Sequence, residues 1–199
     1  MQNSLEKLVY HFEQLSGIGP RQARRLVYSL LKRSGSDLKE FGNLVATVKS
    51  TVHTCPTCGL FHTDTTPECI YCSDHGRDSS SLMIVEKDAD LLAVEKSGLF
   101  NGYYVILGGT VPITGRNPVR DDLLKKVVGF RADQDLSEII LGLSATAEGE
   151  QTKDHVLEVI EPLMTPDIKI SVLGRGLATG TELEYSDDET LRNALSNRK

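Results

Sequence analysis

The sequence predicts a multi-part α+β protein in which helices and a parallel sheet occupy different stretches of the chain. Residues 1–52 carry apolar side chains at helical spacing and no strand-like run. All four cysteines fall within residues 53–79, a stretch otherwise rich in Thr, Asp and Pro. Residues 80–174 alternate short apolar runs with helical stretches, which favours an α/β domain. Residues 175–199 form a C-terminal extension that ends in a predicted helix.

Three amphipathic helices are predicted in the N-terminal segment. Apolar residues recur every three or four positions over 4–15 and again over 23–31. Pro20 suits the first turn of the second helix, because its missing N–H would have no partner at that position anyway. A third apolar stripe, over 38–48, predicts a helix that ends near Ser50.

The α/β segment alternates predicted strands with predicted helices. Continuous apolar runs between turn residues identify the strands, and longer amphipathic stretches identify the helices. The strands are expected over 82–85, 103–107, 138–141 and 168–173, and the helices over 88–97, 119–130, 149–163 and 187–197. Strands connected by helices of this length pair in parallel. We therefore expect an open parallel sheet covered by helices.

The overall composition is that of a folded protein outside the membrane. The chain has 199 residues and a formal net charge of -6, with 39% hydrophobic and 25% charged residues. No apolar run reaches the roughly 18 residues that a membrane span needs. The N-terminus lacks the basic and apolar regions of a secretory signal. The sequence therefore predicts a cytoplasmic protein.

Charge is distributed unevenly between the two ends of the chain. Residues 1–50 hold eight basic and four acidic side chains, whereas the other 149 residues hold 14 basic and 24 acidic ones. The first segment is therefore +4 and the remainder -10. This asymmetry is what binding of a polyanion by the front of the chain would need. Charge alone fits an ordinary solvated helical face at least as well.

The cysteines form two C-x-x-C pairs separated by ten residues. Each pair places two thiolates on one tight turn, and four thiolates in a tetrahedral arrangement close a structural zinc site with no open position. Disulfides and free thiols are the alternatives, and a reducing cytoplasm disfavours stable disulfides. His53 and His62 lie nearby and either could replace one thiolate. The predicted ligands of one Zn²⁺ per chain are Cys55, Cys58, Cys69 and Cys72.

The turn between the first two helices carries a Gly-Ile-Gly sequence, which resembles the helix-hairpin-helix motif. Gly17 and Gly19 allow backbone angles that point successive N–H groups outward, and the following helix N-terminus adds partial positive charge. This arrangement binds phosphate without reading bases. Arg21 and Arg25 share one face of the next helix and could add contacts. The alternative is an ordinary helical hairpin with a glycine turn.

Acidic residues in the α/β segment fall where a parallel sheet binds ligands. Glu86 follows the first strand, at the carboxyl edge of the sheet. The order of elements resembles the Toprim fold, whose catalytic members hold magnesium with a strand-end Glu and a later Asp-x-Asp. The Asp-x-Asp positions here are Ser144 and Thr146, and hydroxyls are poor substitutes for carboxylates as Mg²⁺ ligands. Glu148 and Glu150 remain nearby, so we expect these acids to serve structure or partner contacts.

Other nucleotide chemistry is not indicated. The sequence contains no G-x-x-x-x-G-K-[ST], which excludes a P-loop ATPase site. No helix-opening G-x-G-x-x-G follows a strand, so a dinucleotide site is not expected either.

Taken together, the hairpin, the cysteine pairs, the degenerate Toprim segment and the C-terminal stretches 173–177 and 180–185 resemble the RecR family of bacterial recombination mediators. The resemblance implies a helix-hairpin-helix DNA-binding module over 1–52, a zinc finger over 53–79, a Toprim domain over 80–174 and a Walker-B-like assembly segment over 175–199.

The same resemblance implies a function without chemistry of its own. Family members form rings, commonly homotetramers, on DNA at single-strand gaps. They act with RecO, and in many bacteria with RecF, to help RecA load on strands coated by SSB. It further implies DNA contacts at Gly17, Gly19, Arg21 and Arg25, and partner contacts at Glu86, Glu148 and Glu150.

Two other functions remain open from the residues alone. A magnesium-dependent Toprim nuclease or nicking enzyme would use the three glutamates. A zinc-stabilised protein-interaction module would bind no nucleic acid.

Overall fold

A computed structural model describes residues 3–115, 117–174, 180, 184 and 188–196. The chain divides into two compact units, 1–52 and 53–199. Most of the stretches 173–177 and 180–185, on which the assembly segment is predicted, lie outside the described residues.

The first unit contains three helices with short turns between them. They are α1 (Ser4–Glu13), α2 (Pro20–Leu30) and α3 (Gly35–Thr51). Side chains cap two of their N-termini: Asn3 Oδ1 accepts from Leu5 N at 3.0 Å, and Ser34 Oγ accepts from Asp37 N at 3.2 Å. All three helices lie where the apolar spacing predicts them.

A small apolar core holds α1 against α2. Val9 of α1 packs against Ala23 and Val27 of α2, and the three are almost fully buried. The third helix buries none of its side chains. Its apolar stripe is instead exposed, at Phe41, Leu44, Val45 and Val48.

The second unit is built on a four-stranded parallel sheet. Its strands are β3 (Asp78–Val85), β4 (Gly102–Ile106), β5 (Glu138–Gly142) and β6 (Lys169–Val172), in the spatial order β4-β3-β5-β6. All three pairings are parallel. The predicted open parallel sheet is therefore confirmed.

Helices alternate with these strands along the chain. They are α4 (Asp88–Ser97), α5 (Asp121–Ala132), α6 (Ala147–Ile160) and α7 (Asp188–Ser196). The predicted range of 149–163 for α6 is displaced, because Thr146 caps the helix so that it begins two residues earlier, at Ala147, and Pro162 lies in a following 3-10 turn. β3 begins at Asp78 rather than 82, since its polar first half still pairs with the neighbouring strands.

The composition of the cysteine-rich segment predicts a loop, but the structure also contains regular elements there. Two short strands, β1 (His53–Thr54) and β2 (Phe61–His62), pair antiparallel around the first cysteine pair. Each of these strands has only two residues, which is too short to show the alternation of apolar and polar residues that predicts a strand.

Two hydrophobic cores lie on the two faces of the sheet. One is purely aliphatic and aromatic, and packs the sheet against α5 and α6. The other combines the four cysteines with side chains of β3, α4 and β4: Met83, Val85, Leu91, Tyr104 and Ile106. The cysteine segment thus shares its core with the sheet.

Arg77 connects the cysteine segment to α4 and β4. Its Nη1 and Nη2 donate to the two carboxylate oxygens of Glu95 at 2.8 and 2.7 Å, and Nη1 also donates to Gly102 O at 2.9 Å. Tyr104 Oη donates to Glu95 Oε1 at 2.7 Å. Burial acts to raise the pKa of Glu95, but the hydrogen bonds from Arg77 and Tyr104 outweigh it and hold that pKa below its usual value.

None of the helices in the described part of the chain is long and apolar enough to span a membrane.

We expect Glu95→Gln to lower the free energy of unfolding at pH 7 by about 1.5–3 kcal/mol, the usual worth of hydrogen bonds to a charged group. Since the pKa of Glu95 is lower in the folded state, its stabilisation is complete above the unfolded pKa of about 4.3 and is lost as pH falls through the folded value. Urea unfolding of wild type and variant should therefore differ fully at pH 7 and progressively less below about pH 4.

Glu158→Gln is the matched control, because Glu158 is exposed on α6. This variant should match wild type at every pH. A constant difference for Glu95→Gln between pH 7 and about pH 3 would contradict the assignment.

Candidate nucleic-acid interface and metal centre

The turn between α1 and α2 presents unsatisfied backbone donors to solvent. Gly17 has φ +79°, a left-handed conformation that other residues adopt only with strain. Ile18 turns inward and packs on the core of the unit. Gly19 is the N-cap of α2 and supplies no side chain to cap it. The first N–H groups of α2 are therefore free to bind an anion.

Two basic side chains follow this turn without partners of their own. Arg21 and Arg25 are exposed, and neither forms an ion pair with any residue that the structure describes. Arg24, on the same helix, approaches Glu6 at 4.0 Å. The first turn of α2 contains no acidic residue that would compete for the helix N-terminus. The structure thus places Gly17, Gly19 and Arg21 at the N-terminal end of α2, with Arg25 about one turn further along the helix.

The four cysteines form one buried cluster. Their Sγ atoms all lie within 4.8 Å of one another, and Cys58 Sγ and Cys69 Sγ are 3.6 Å apart. None of the four is in a disulfide. Among the described residues, they are the only group of three or more His, Cys, Asp or Glu side chains placed to share an ion. Four sulfur atoms in this arrangement could hold one metal ion.

The first cysteine turn is fixed by contacts with distant residues. Cys55 N donates to Leu60 O at 2.8 Å, which closes the turn. Gly59 has φ +85°, and a Cβ there would lie 2.6 Å from Arg120 Nη1. Arg120 Nη1 donates to Gly59 O at 2.7 Å, and Ile106 N donates to Cys58 O at 2.8 Å. Contacts from β4 and from the residue before α5 therefore position two of the ligands.

Ionisation of one thiol of the cluster makes ionisation of its neighbours less favourable. Hydrogen bonds from the other three thiols lower the pKa of Cys55 far below its ordinary value, whereas the same contacts raise the pKa of Cys72. Bonds within the cluster and desolvation raise the pKa of Cys58 as well. One buried thiolate thus disfavours the next, and a divalent ion would remove that penalty.

His62 is buried beside β1 but is not part of the cluster. Its Nε2 lies 3.2 Å from Pro67 O, and its Nδ1 lies 3.1 Å from Asp64 Oδ2. It therefore holds the loop between the cysteine pairs rather than replacing a thiolate.

The polar groups at the carboxyl edge of the sheet, here called the Toprim edge, form hydrogen bonds with one another. Glu86 is only 6% exposed, and its Oε1 accepts from Ser144 N at 2.6 Å. Ser144 Oγ lies 3.1 Å from Thr146 Oγ1, which accepts from Gly149 N at 3.1 Å and caps α6. A Cβ on Gly149 would lie 1.9 Å from Ser144 O, so the loop and the helix pack tightly.

The other two predicted glutamates lie on the first turn of α6. Glu148 is exposed, and its Oε2 is 3.5 Å from Thr110 Oγ1. Glu150 is half-buried and forms an ion pair with Lys153. Neither joins Glu86 in a group that could hold a metal, within the residues described. The arrangement gives Glu86 a structural role and leaves Glu148 as the accessible carboxylate.

Sequence reasoning missed the arginines that support the metal centre. Arg77 and Arg120 lie outside the cysteine pairs and match no spacing rule. Gly59, directly after the first pair, was the one available signal, because a glycine there indicates a close approach of another group.

Comparison with known proteins matches three stretches of the chain to family models. Residues 5–48 match the model of the RecR helix-hairpin-helix, residues 80–174 the Toprim domain, and residues 176–199 the RecR C-terminal segment. The predicted Toprim and helix-hairpin-helix folds are therefore confirmed.

Full-length relatives give the same result. Recombination protein RecR of Streptococcus uberis is 37% identical over 196 residues, which are 98% of this chain and 96% of the relative. That of Clostridium perfringens is 35% identical over the same shares of both chains. That of Tropheryma whipplei is 34% identical over 197 residues, again 98% and 96% of the two chains.

Proposed function

This chain belongs to the RecR family, and on that premise we propose that it is a DNA-binding mediator of recombinational repair at gapped DNA. It acts in the cytoplasm on chromosomal DNA and works with RecO, and with RecF, to help RecA load on SSB-coated single strands. The observation that carries the proposal is the uncapped N-terminus of α2 with two unpaired arginines beside it.

Binding to DNA proceeds through the phosphate backbone. The free N–H groups at Gly19 and the start of α2 can donate to phosphate oxygens, and the exposed Arg21 and Arg25 add positive charge. None of these groups discriminates between bases, so affinity is independent of sequence and falls steeply with salt. The +4 charge of the first 50 residues attracts the polyanion to this end of the chain.

The metal is one structural Zn²⁺ per chain, bound by the four cysteines. Four thiolates favour zinc over the hard ions Mg²⁺ and Ca²⁺, and they leave no position for a reacting water. When bound, the ion supplies folding energy rather than chemistry.

The protein catalyses no reaction on DNA. Ser144 and Thr146 occupy the positions where a catalytic Toprim domain has carboxylates, and they hold the loop and the start of α6. Glu86 is already bonded to Ser144 N. A magnesium-dependent nuclease would require all three glutamates to turn towards one ion, against these contacts.

Partner proteins and other subunits bind the remaining surfaces. Glu148 is the accessible carboxylate of the Toprim edge and contacts RecO. Glu86 and Glu150 stabilise that edge through their bonds to Ser144 N and Lys153. The exposed apolar stripe of α3, at Phe41, Leu44, Val45 and Val48, becomes buried when subunits assemble into a homotetrameric ring.

We expect Arg21→Glu/Arg25→Glu to weaken binding to gapped DNA by tenfold or more at moderate salt, because two phosphate contacts become repulsive. The slope of log K against log salt should fall in magnitude by about 2. Fluorescence anisotropy of labelled DNA over a salt series measures both.

Lys96→Glu/Lys125→Glu is the matched control, with the same charge change on the second unit. It should reduce affinity far less. An equal loss of DNA affinity in the two double variants would mean that net charge alone governs binding. Unchanged affinity in the arginine variant would contradict DNA contacts at Arg21 and Arg25. No binding by the wild type at low salt would favour a protein-interaction module instead.

Removal of the metal should unfold the second unit. A thiolate zinc site contributes on the order of 10 kcal/mol to folding, which exceeds the stability of most domains. Elemental analysis of purified protein should give one zinc per chain, and Cys69→Ser should lose zinc together with the cooperative thermal transition. His62→Gln should retain zinc. Metal-free protein with an unchanged transition would contradict a structural role.

A further inference from the structure

A cleft of about 490 Å³ lies between the cysteine segment and α5, away from the Toprim edge. Its volume falls in the range of specific ligand sites. All of its lining residues belong to the second unit. They include Glu68 and His75 on one side, Lys126, Val127 and Phe130 on the other, and Arg131 with Tyr103 at the base.

Arg131 is unusual in this cleft because its charged side chain is buried and has no anionic partner. It is only 8% exposed, and its guanidinium stacks on the ring of Tyr103 with Cζ 3.5 Å from the ring centre. No carboxylate, carbonyl or hydroxyl among the described residues pairs with it. Arg77, which is buried to a similar degree, has both of its terminal nitrogens bonded to Glu95.

Holding a charged residue in the interior without an anion beside it is costly, although the guanidinium nitrogens of Arg131 keep contact with solvent through the cleft. The last turn of α5 and the Tyr103 ring offset part of that cost, through the helix dipole and the cation–π contact. Neither occupies the hydrogen-bonding edge of the guanidinium, which matches the two oxygens of a carboxylate.

The residues around Arg131 add a second positive charge and an apolar surface to the cleft. Lys126 is exposed at the rim and adds a second positive charge. Phe130, 58% exposed, and the buried Val127 form an apolar wall beside it. Glu68 accepts a hydrogen bond from Thr57 and lies on the opposite wall.

We propose that this cleft binds a short segment of a partner protein in which a carboxylate side chain stands next to an apolar one. The carboxylate pairs with Arg131 and Lys126, and the apolar side chain packs on Phe130 and Val127. Nucleic acid is disfavoured, because residues 51–199 hold 24 acidic against 14 basic side chains and repel a continuous polyanion. The apolar wall also offers nothing to a phosphodiester.

The test uses two peptides that differ only in charge, acetyl-Gly-Asp-Leu-Gly-amide and acetyl-Gly-Asn-Leu-Gly-amide. Ligand-observed NMR on the full-length, metal-loaded protein should give binding of the Asp peptide at least tenfold tighter than of the Asn peptide, as expected for hydrogen bonds to a charged group. Arg131→Gln should weaken the Asp peptide by a similar factor and leave the Asn peptide unchanged. Lys125→Gln, on the same helix but outside the cleft, should bind both peptides as wild type does.

Two further variants separate loss of binding from loss of folding. Arg131→Lys keeps the positive charge near the Tyr103 ring but loses the planar pair of donors, so it should fold and should bind the Asp peptide more weakly than wild type does. Lys126→Gln, at the exposed rim, should weaken binding severalfold. Equal affinity for the two peptides, or undiminished binding in Arg131→Gln, would overturn the proposal. Displacement of the Asp peptide by a thymidine dinucleotide at lower concentration would overturn it in favour of a nucleic-acid site.

Discussion

The core of the second unit depends on how four buried cysteine side chains are accommodated. These side chains form the centre of a core that also contains Met83, Val85, Tyr104 and Ile106 from the sheet. Their mutual contacts lower the pKa of Cys55 and raise the pKa of Cys72, so simultaneous ionisation of all four is disfavoured, and a cation bound by the four sulfur atoms would relieve that penalty. Because β3 and β4 contribute to the same core, the metal site and the Toprim sheet fold as one structure.

The carboxyl edge of that sheet keeps the geometry of a Toprim domain and uses it for structure. Glu86 still follows the first sheet strand, but its carboxylate holds the backbone of the loop after β5. The hydroxyls of Ser144 and Thr146 connect this loop to the first turn of α6.

Local patterns were sufficient to predict most of the fold. Apolar periodicity located the helices of both units and the strands of the sheet, and the spacing of the cysteines predicted that their four side chains would lie together. The contacts that lock these elements were not predictable, since Arg120 and Gly59 are 61 residues apart and Arg77 and Glu95 are 18 apart. The cleft around Arg131 was missed for the same reason: a lone arginine becomes distinctive only when its burial and missing partner are known.

Under the function proposed above, this protein binds the DNA backbone and leaves it chemically unchanged. Native gel electrophoresis of end-labelled gapped DNA, with magnesium present and salt increased stepwise, tests both the binding and the absence of cleavage. We expect a shifted band of full-length DNA that fades as salt rises. Shortened labelled products, lost in a Glu86→Gln variant, would contradict it and assign the acids of the Toprim edge to catalysis.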